Sequence, residues 1–448
     1  MSTVRLVTTT LLAGSMAVLP VGLSKAQAAP SRPTPPDPVL QWDEIAANTV
    51  VKSGAFQNEG FLYMGYVSSA VYDAARSTQD HDRADPSGQK ADAGAAVVEA
   101  AYDTLTNYFP APRATGSPDL ETLHVQALAA IPDSPAKTAG IAAGAAAAGA
   151  VINRRTGDGR MTPIGVTSTF PTKAPGPGVY RLTPATFPAA QTPWLRNVHP
   201  FILRSNDQFL PPAPPSLSSP QWAKAFTEVE AVGAATGSSR SQAQTDTALF
   251  WTANVILQYN QVLRDIVTQQ HLNLAQAARS MAMVNVVAAD AQMSVMFAKY
   301  HYLLWRPVTA IDPTAVTADG FGTVPGVDDG NPATAEQIGW RPLITTPNHP
   351  EYPSAHGSLT SSMVAVFSAL RCTNHINIDI HGFDPAGPAG NLTAMRHFDS
   401  ADALRTEIQN ARIWGGLHYR FSTAAGVDLG RDVARYDLRH GFPDTCDR

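Results

Sequence analysis

The sequence has few of the residues that announce a chemistry outright. It holds only two cysteines, Cys372 and Cys446, in 448 residues. Two thiols alone cannot hold a zinc ion, and neither a CxxC nor an HExxH motif occurs. Charged residues make up 15%, the formal net charge is −5, and no stretch is dense in Lys or Arg. A nucleic-acid footprint is therefore excluded. Alternating strand patterns are missing, as are repeats of about 20–50 residues, which argues against sheet folds and solenoids. Past the N-terminus no run is long and apolar enough to suggest a membrane span. Hydrophobic residues are plentiful, at 44%. A chain of this length buries one large core or two smaller ones and is not disordered.

Residues 1–28 read as a signal peptide. Arg5 precedes the apolar run LVTTTLLAGSMAVLPVGL, and Ala26-Gln27-Ala28 has the small-x-small pattern of a cleavage site. Pro20 and Gly22 interrupt the run, so an uncleaved anchor is disfavoured, and the expectation is a secreted protein with no membrane contact after cleavage. In an exported chain the two cysteines either close one disulfide across a C-terminal loop or remain two inert thiols. Residues 29–40, beginning APSRPTPPDP, read as a linker.

The rest reads as all-α, a helical bundle or pair of bundles with long Pro/Gly-rich loops. An N-terminal region, 41–220, has helical patterns at 42–55, 59–77, 91–108, 118–131 and 134–153. The last contains IAAGAAAAGA, a small-residue face that lets a second helix come close. Residues 160–220 are too rich in proline and glycine for helices. Tyr180, Phe187 and Trp194 suggest that this segment packs down as a wrap. A C-terminal region, 221–448, has helical patterns at 220–236, 240–269, 273–305, 354–370, 400–415 and 423–436, and a loop over 311–350. The two regions are expected to form one integrated domain.

Three pieces of the C-terminal region look chemically organised. In KYHYLLWRP, Lys299 and Arg306 are seven residues apart. That is close to two helical turns, so both are expected on one helix face, about 10 Å apart, with Pro307 ending the helix. In HPEYPSAHGS, Ser354, Ala355 and His356 fall at the first turn of the helix SLTSSMVAVFSAL, where free N–H groups and the dipole favour anions. In ARIWGGLHYRFS, Gly415-Gly416 break a helix, so that His418 turns back toward Arg412 before a new helix begins near Ser422 or Thr423. Taken singly, each piece has a bland alternative: a solvated cationic face, a capping serine, a structural histidine. Together they supply three cations, a helix N-terminus and two histidines, the parts of an oxyanion cage.

Order and spacing resemble the signature KxxxxxxRP, PSGH, SRxxxxxHxxxD. This signature belongs to the vanadium-dependent haloperoxidases and the type 2 phosphatidic acid phosphatases. Here it stands as Lys299-x6-Arg306-Pro307, Pro353-Ser354-Ala355-His356 and Ala411-Arg412-x5-His418. The segments QWDEIAANTV, SSAVYDAARS, VHPFILRSNDQFLPPAPPSL and AADAQMSVMFAKYHYLLWRPVTAI also look like the soluble haloperoxidase-like branch, over roughly residues 40–440. The resemblance implies vanadate as cofactor. Lys299, Arg306, Ser354, Ala355 and Arg412 would hold its equatorial oxygens, His418 would be the axial ligand, and His356 the acid–base residue. The implied partners are hydrogen peroxide, a halide and a small organic acceptor, with no nucleic acid.

Three departures from the family pattern matter. Ala355 replaces glycine, which is harmless if the backbone there is helical, as expected, and strained if φ is positive. Ser422 replaces the aspartate four residues after the ligand histidine, and would orient the imidazole more weakly. Met296 stands where the haloperoxidase branch has tryptophan. His349 is a histidine at the place where, in the resemblance, bromoperoxidases carry one and chloroperoxidases a phenylalanine; the alternative is a loop histidine without a role. The leading expectation is therefore a haloperoxidase favouring bromide. A secreted acid phosphatase using the same pocket and a non-catalytic relative are the alternatives.

Overall fold

The computed structural model describes residues 37–79, 90–110, 116–162, 176–184, 186, 188–316, 329–383 and 393–443. The expected signal peptide, most of the expected linker, Phe187 and Cys446 lie outside the described residues, and with Cys446 the expected Cys372–Cys446 pairing. Residues 37–448 cluster as a single compact unit.

The N-terminal region folds into α1 (Pro38–Lys52), α2 (Gln57–Ser77), α3 (Ala93–Tyr108), α4 (Leu120–Ala129) and α5 (Pro135–Arg155). Starts are set by short polar caps. Asp37, Asp92, Asp119 and Ser134 each accept a backbone N–H from the first turn that follows. Helix α1 begins earlier than expected because Asp37 caps it and Pro38 suits its first turn, so 37–40 is not linker. The small-residue face of α5 is used as its composition implies. A methyl at Gly140 or Gly144 would collide with the α3 backbone at Asp92 or Ala96.

The C-terminal region continues with α6 (Pro220–Gly233), α7 (Gln242–Phe250), α8 (Val255–Gln269), α9 (Leu274–Tyr302), α10 (Pro307–Ile311), α11 (Ala355–Arg371), α12 (Ala401–Trp414) and α13 (Arg420–Gly441). The pattern at 240–269 is two helices, not one. The chain breaks at Trp251, and Asn254 caps α8. The absence of strands is also corrected. HINIDIHG forms β1 (His375–Gly382), paired antiparallel with β2 (Ala394–Ser400), Ile378 opposite Phe398. Ile376, Ile378 and Ile380 are buried beneath this hairpin.

Helix α9 is the axis of the molecule, buried from Ser280 to Met296 on every face, which is why it lacks a polar stripe. It and α5 are long and apolar enough, by length and composition, to cross a membrane, contrary to the sequence expectation; the apolar window of α9 is 94% buried inside this protein. The proline-rich segment wraps onto α9. Asp290 accepts the consecutive N–H groups of Phe201, Ile202 and Leu203 at 2.7–3.1 Å. Helix α13 lies unusually close to α11, because Gly426 and Gly430 rest on the carbonyls of Ser354 and Ser358, and a Cβ at either would collide with them. That contact carries the start of α13 against the first turn of α11.

Candidate functional site

Lys299 occupies the last turn of α9. The helix then ends at Leu303, which takes a left-handed conformation (φ 56°). The chain reverses there, with Leu303 and Trp305 bonding to Tyr180 and Gly178. Arg306 is therefore not on α9, as its spacing suggested, but is the residue that precedes α10. It meets Lys299 because both reach the same loop. Lys299 Nζ donates to the carbonyls of Pro350 and Glu351, each at 2.9 Å. Arg306 Nε donates to the His349 carbonyl at 2.9 Å, and Nη1 to the Leu417 carbonyl at 3.0 Å.

Arg412 enters from the last turn of α12. Its Nη1 lies 3.4 Å from the Trp251 carbonyl, at the break between α7 and α8. Its Nε is buried and has no hydrogen-bond partner among the described residues. Lys299, Arg306 and Arg412 are 0%, 0% and 3% exposed, and among the described residues none of them is ion-paired. Burial pushes all three down; repulsion from Arg306 adds to it at Lys299 and Arg412, and Glu351 opposes it at Lys299 and Arg306. Arg306 falls to about 10 and Arg412 to about 9, while Lys299 lies well below the usual lysine value.

Gly416 (φ 77°) turns the chain after α12 and brings His418 into the same volume. His418 Nε2 is 3.2 Å from Arg306 Nη1, and Nδ1 is 2.8 Å from Glu351 Oε1. An arginine only donates, so Nε2 is the acceptor and Nδ1–H donates to the carboxylate. Glu351 Oε1 also accepts the Tyr419 N–H at 3.0 Å. Glu351 is fully buried, and burial, opposed by Lys299 and Arg306, raises it to about 7. It supplies the carboxylate that Ser422 lacks. Ser422 Oγ stands 3.4 Å from His418 Nδ1, the outer limit of a hydrogen bond. Sequence reading missed Glu351, although it lies inside HPEYPSAHGS.

Ser354 caps α11, its Oγ accepting from Gly357 N–H at 3.3 Å. Ala355 opens that helix with helical backbone, so its methyl brings no left-handed strain. The N–H groups of Ala355 and His356 have no partner among the described residues, as expected of a helix start. His356 makes no hydrogen bond there either. Burial, then Arg412, Lys299 and Arg306, hold it well below the ordinary histidine value, hence neutral. His349 is buried and accepts from Arg306 Nη2 at Nδ1, 3.0 Å away. Burial, Lys299 and Arg306 keep it neutral too. Met296 is one turn before Lys299, with Asn58 Nδ2 3.3 Å from its sulfur; it lies outside the cage.

The structure thus brings Lys299, Arg306, Arg412, His349, His356, His418 and the start of α11 around one volume, with Glu351 behind His418. Among the described residues no three His, Cys, Asp or Glu side chains gather as ligands of a metal cation do. The donor set is instead that of an anion site, and vanadate fits it: buried cations, an orphaned Arg412 Nε–H, free helix N–H groups and one imidazole with an outward acceptor nitrogen.

Known proteins resemble this chain in sequence and in shape. Residues 279–441 match a family model described as the VCPO second helical-bundle domain. Over 242 residues the chain is 28% identical to a vanadium chloroperoxidase of Curvularia inaequalis, covering 42% of this chain and 38% of that one. A bacterial vanadium-dependent iodoperoxidase structure superposes with a TM-score of 0.70 at 20% identity, covering 90% of this chain and 96% of that one. A bacterial vanadium-dependent chloroperoxidase in its holo form gives 0.64 at 16%, covering 89% and 96%. At these identities the structural likeness establishes the fold, an all-α bundle of this type.

Proposed function

We propose that the chain is a vanadium-dependent haloperoxidase, a reading supported by the family-model match over residues 279–441 and by the 28% identity over 242 residues, and that it holds vanadate in this cage and oxidises a halide with hydrogen peroxide. The observation that carries the reading is unmatched buried charge. Leaving an uncompensated ion in a protein interior costs several kcal/mol each, by rough estimate. Three such cations share one volume here, and the carboxylate beside them is turned to His418. An oxyanion of two or three negative charges would offset them.

Lys299, Arg306, Arg412, Ser354 and the Ala355 N–H would hold the oxygens of vanadate, and His418 Nε2 would bind its centre. Vanadate, once bound, supplies a Lewis acid that activates peroxide toward attack by halide. Glu351 keeps the proton of His418 on Nδ1, so that Nε2, which accepts from Arg306 Nη1, carries the lone pair that would bind. Neutral His356, without a hydrogen bond of its own, accepts a proton from hydrogen peroxide at a ring nitrogen and returns it to the leaving oxygen. His349 lines the cavity in front of His356 and is proposed to favour bromide. The product is a hypohalous species. Export through residues 1–28 belongs to the same reading. N-terminal sequencing of the secreted protein should find a start just after Ala28 or Ala29.

One purified sample assayed two ways tests the proposal. After vanadate loading, peroxide-dependent bromination should appear, at higher kcat/KM than with chloride. Phosphate-ester hydrolysis without vanadate, and no bromination with it, would favour an acid phosphatase. Tight anion binding with neither activity would mark a non-catalytic relative.

A further inference from the structure

Two helices of this molecule have the composition of core helices, and only one of them is covered like one. The apolar window of α9 is 94% buried, that of α5 only 22%. Helix α5 gives one face to α3, through Gly140 and Gly144, and turns the other outward. Thr138, Ala142, Ala145, Ala146 and Ala150 are exposed there, and residues 138–152 contain no charge. A helix face held in water usually carries charged side chains over such a length, about 22 Å. Gly149 lies on the same face, and a Cβ built on it meets nothing within 4 Å among the described residues. Glycine weakens a helix relative to alanine. At 140 and 144 the close approach of α3 offsets that weakness. At 149 nothing among the described residues does.

We propose that this face of α5 is the contact between two copies of the chain, packed antiparallel about a two-fold axis that passes between residues 143 and 144. What selects a second copy is the order of residues along the face. About that axis Ala142 faces the partner's Ala145, Thr138 the partner's Gly149, and Asp133 the partner's Arg154. Small residues meet at the centre, where the backbones come closest, and an acid meets a base at each end. Asp133 is 98% exposed while it holds Lys137 at 2.8 Å, and Arg154 is 59% exposed at 3.5 Å from Asp73, so both keep room for a second partner. Antiparallel pairing also sets each helix dipole against its opposite. A lipid surface is the other apolar occupant to weigh, and it would want aromatic residues and basic flanks. This face has neither Trp nor Tyr and starts at an acid. A two-fold contact uses one patch twice and closes, so the assembly stops at a dimer. A single helix pair covers less than the roughly 1,600 Å² of a standard interface, which makes the dimer a weak one. None of this depends on what the cage binds.

Sedimentation velocity of the full chain, from about 1 to 200 μM in low-salt buffer, tests the proposal over the range that a contact of this size supports. A monomer–dimer equilibrium with a micromolar Kd is expected. Ala145→Glu keeps a good helix former at an exposed position, so the dilute protein should melt as wild type does. Dimerisation should nevertheless weaken about tenfold or more, because a charge is trapped at the centre of the contact. Asp133→Arg and Arg154→Asp should each weaken it about three- to tenfold by setting like charges opposite. Mixing these two variants should restore pairing, since every end contact then joins opposite charges. Recovery on mixing is particular to the antiparallel register. A monomer at all concentrations would overturn the proposal, and so would a dimer that Ala145→Glu leaves intact. Loss in both charge variants without recovery on mixing would overturn the antiparallel arrangement. Monomeric wild type that floats with phosphatidylcholine vesicles, while Ala145→Glu does not, would overturn it in favour of a lipid contact.

Discussion

Buried arginines are treated in two ways in this molecule. In the N-terminal region and its contact with α8, Arg155 and Arg264 meet carboxylates. Arg155 Nε lies 3.0 Å from Asp158 Oδ2, and Arg264 Nη1 lies 2.7 Å from the fully buried Asp43. Arg155 also donates to the carbonyls of His199 and Pro200, so its charge is closed within the fold. Around the ends of α9 and α12, Lys299, Arg306 and Arg412 are buried as deeply without an ion pair. The difference separates a cation that holds structure from one that waits for a ligand. The first is matched at folding, the second only at binding.

Exchanging the two kinds should give opposite phenotypes, and this is the largest effect expected. Arg155→Ala should cost about 3–5 kcal/mol of stability in urea unfolding, because Asp158, though still bonded to Tyr66 OH and the Arg160 N–H, is left buried without the Arg155 counter-charge, with vanadate affinity unchanged. Arg412→Ala should leave the vanadate-free protein as stable as wild type or more so. It should cost about 2–5 kcal/mol of vanadate affinity by calorimetry. If both variants lose stability alike, the comparison fails.

Glu351 sharpens the same contrast, since it is the acid of the cage and yet faces a histidine. Glu351→Gln keeps the shape and removes the charge that holds the His418 proton on Nδ1. Vanadate affinity should drop about 10- to 100-fold, and nitrogen chemical shifts of His418 should show a mixed tautomer. Serine at 422 would not compensate. An unchanged tautomer would remove Glu351 from the account.

A smaller effect separates the cage from the buried acids on the other side of α11. Asp437 on α13 is fully buried, neither of its carboxylate oxygens has a hydrogen-bond partner among the described residues, and Asp290 is nearby. Burial, then Asp290, hold it well above the ordinary 3.8, and burial raises Asp290 to about 6. The folded state therefore keeps protons that the unfolded chain releases near 3.8, so their contribution to stability is lost as pH rises above that value. Asp437→Asn should melt higher than wild type at pH 8, with the gap closing toward pH 4. The smallest effect belongs to Ala355→Gly. Position 355 is already helical, so turnover should change only a few-fold.

Much of this was legible in the sequence, and the misses have physical causes. Helices α3, α5 and α11 follow from apolar periodicity with Asp, Ser and Pro at their starts, and α2 from periodicity alone. The cage cations and histidines follow from three spaced motifs. The end of α9 was not legible, because LLW continues an apolar helix on paper while Leu303 adopts a left-handed turn that only tertiary contacts enforce. The break at Trp251 was hidden for the same reason: Trp251 Nε1 donates to Glu407, on a helix 156 residues away in sequence. The hairpin was legible and overlooked, since HINIDIHG alternates strictly. Glu351 was invisible to a signature that seeks its carboxylate four residues after the histidine, whereas here it arrives from the loop before α11.

The account stands on whether the unmatched cations bind an oxyanion through His418. Calorimetric titration of vanadate and phosphate into wild type and His418→Ala addresses this directly. Wild type should bind one of either anion per chain. The variant should lose most of its vanadate affinity and keep most of its phosphate affinity, because only vanadate takes a bond from the ring nitrogen while both use the cations. No binding of either anion to wild type, or vanadate affinity unchanged in the variant, would contradict it.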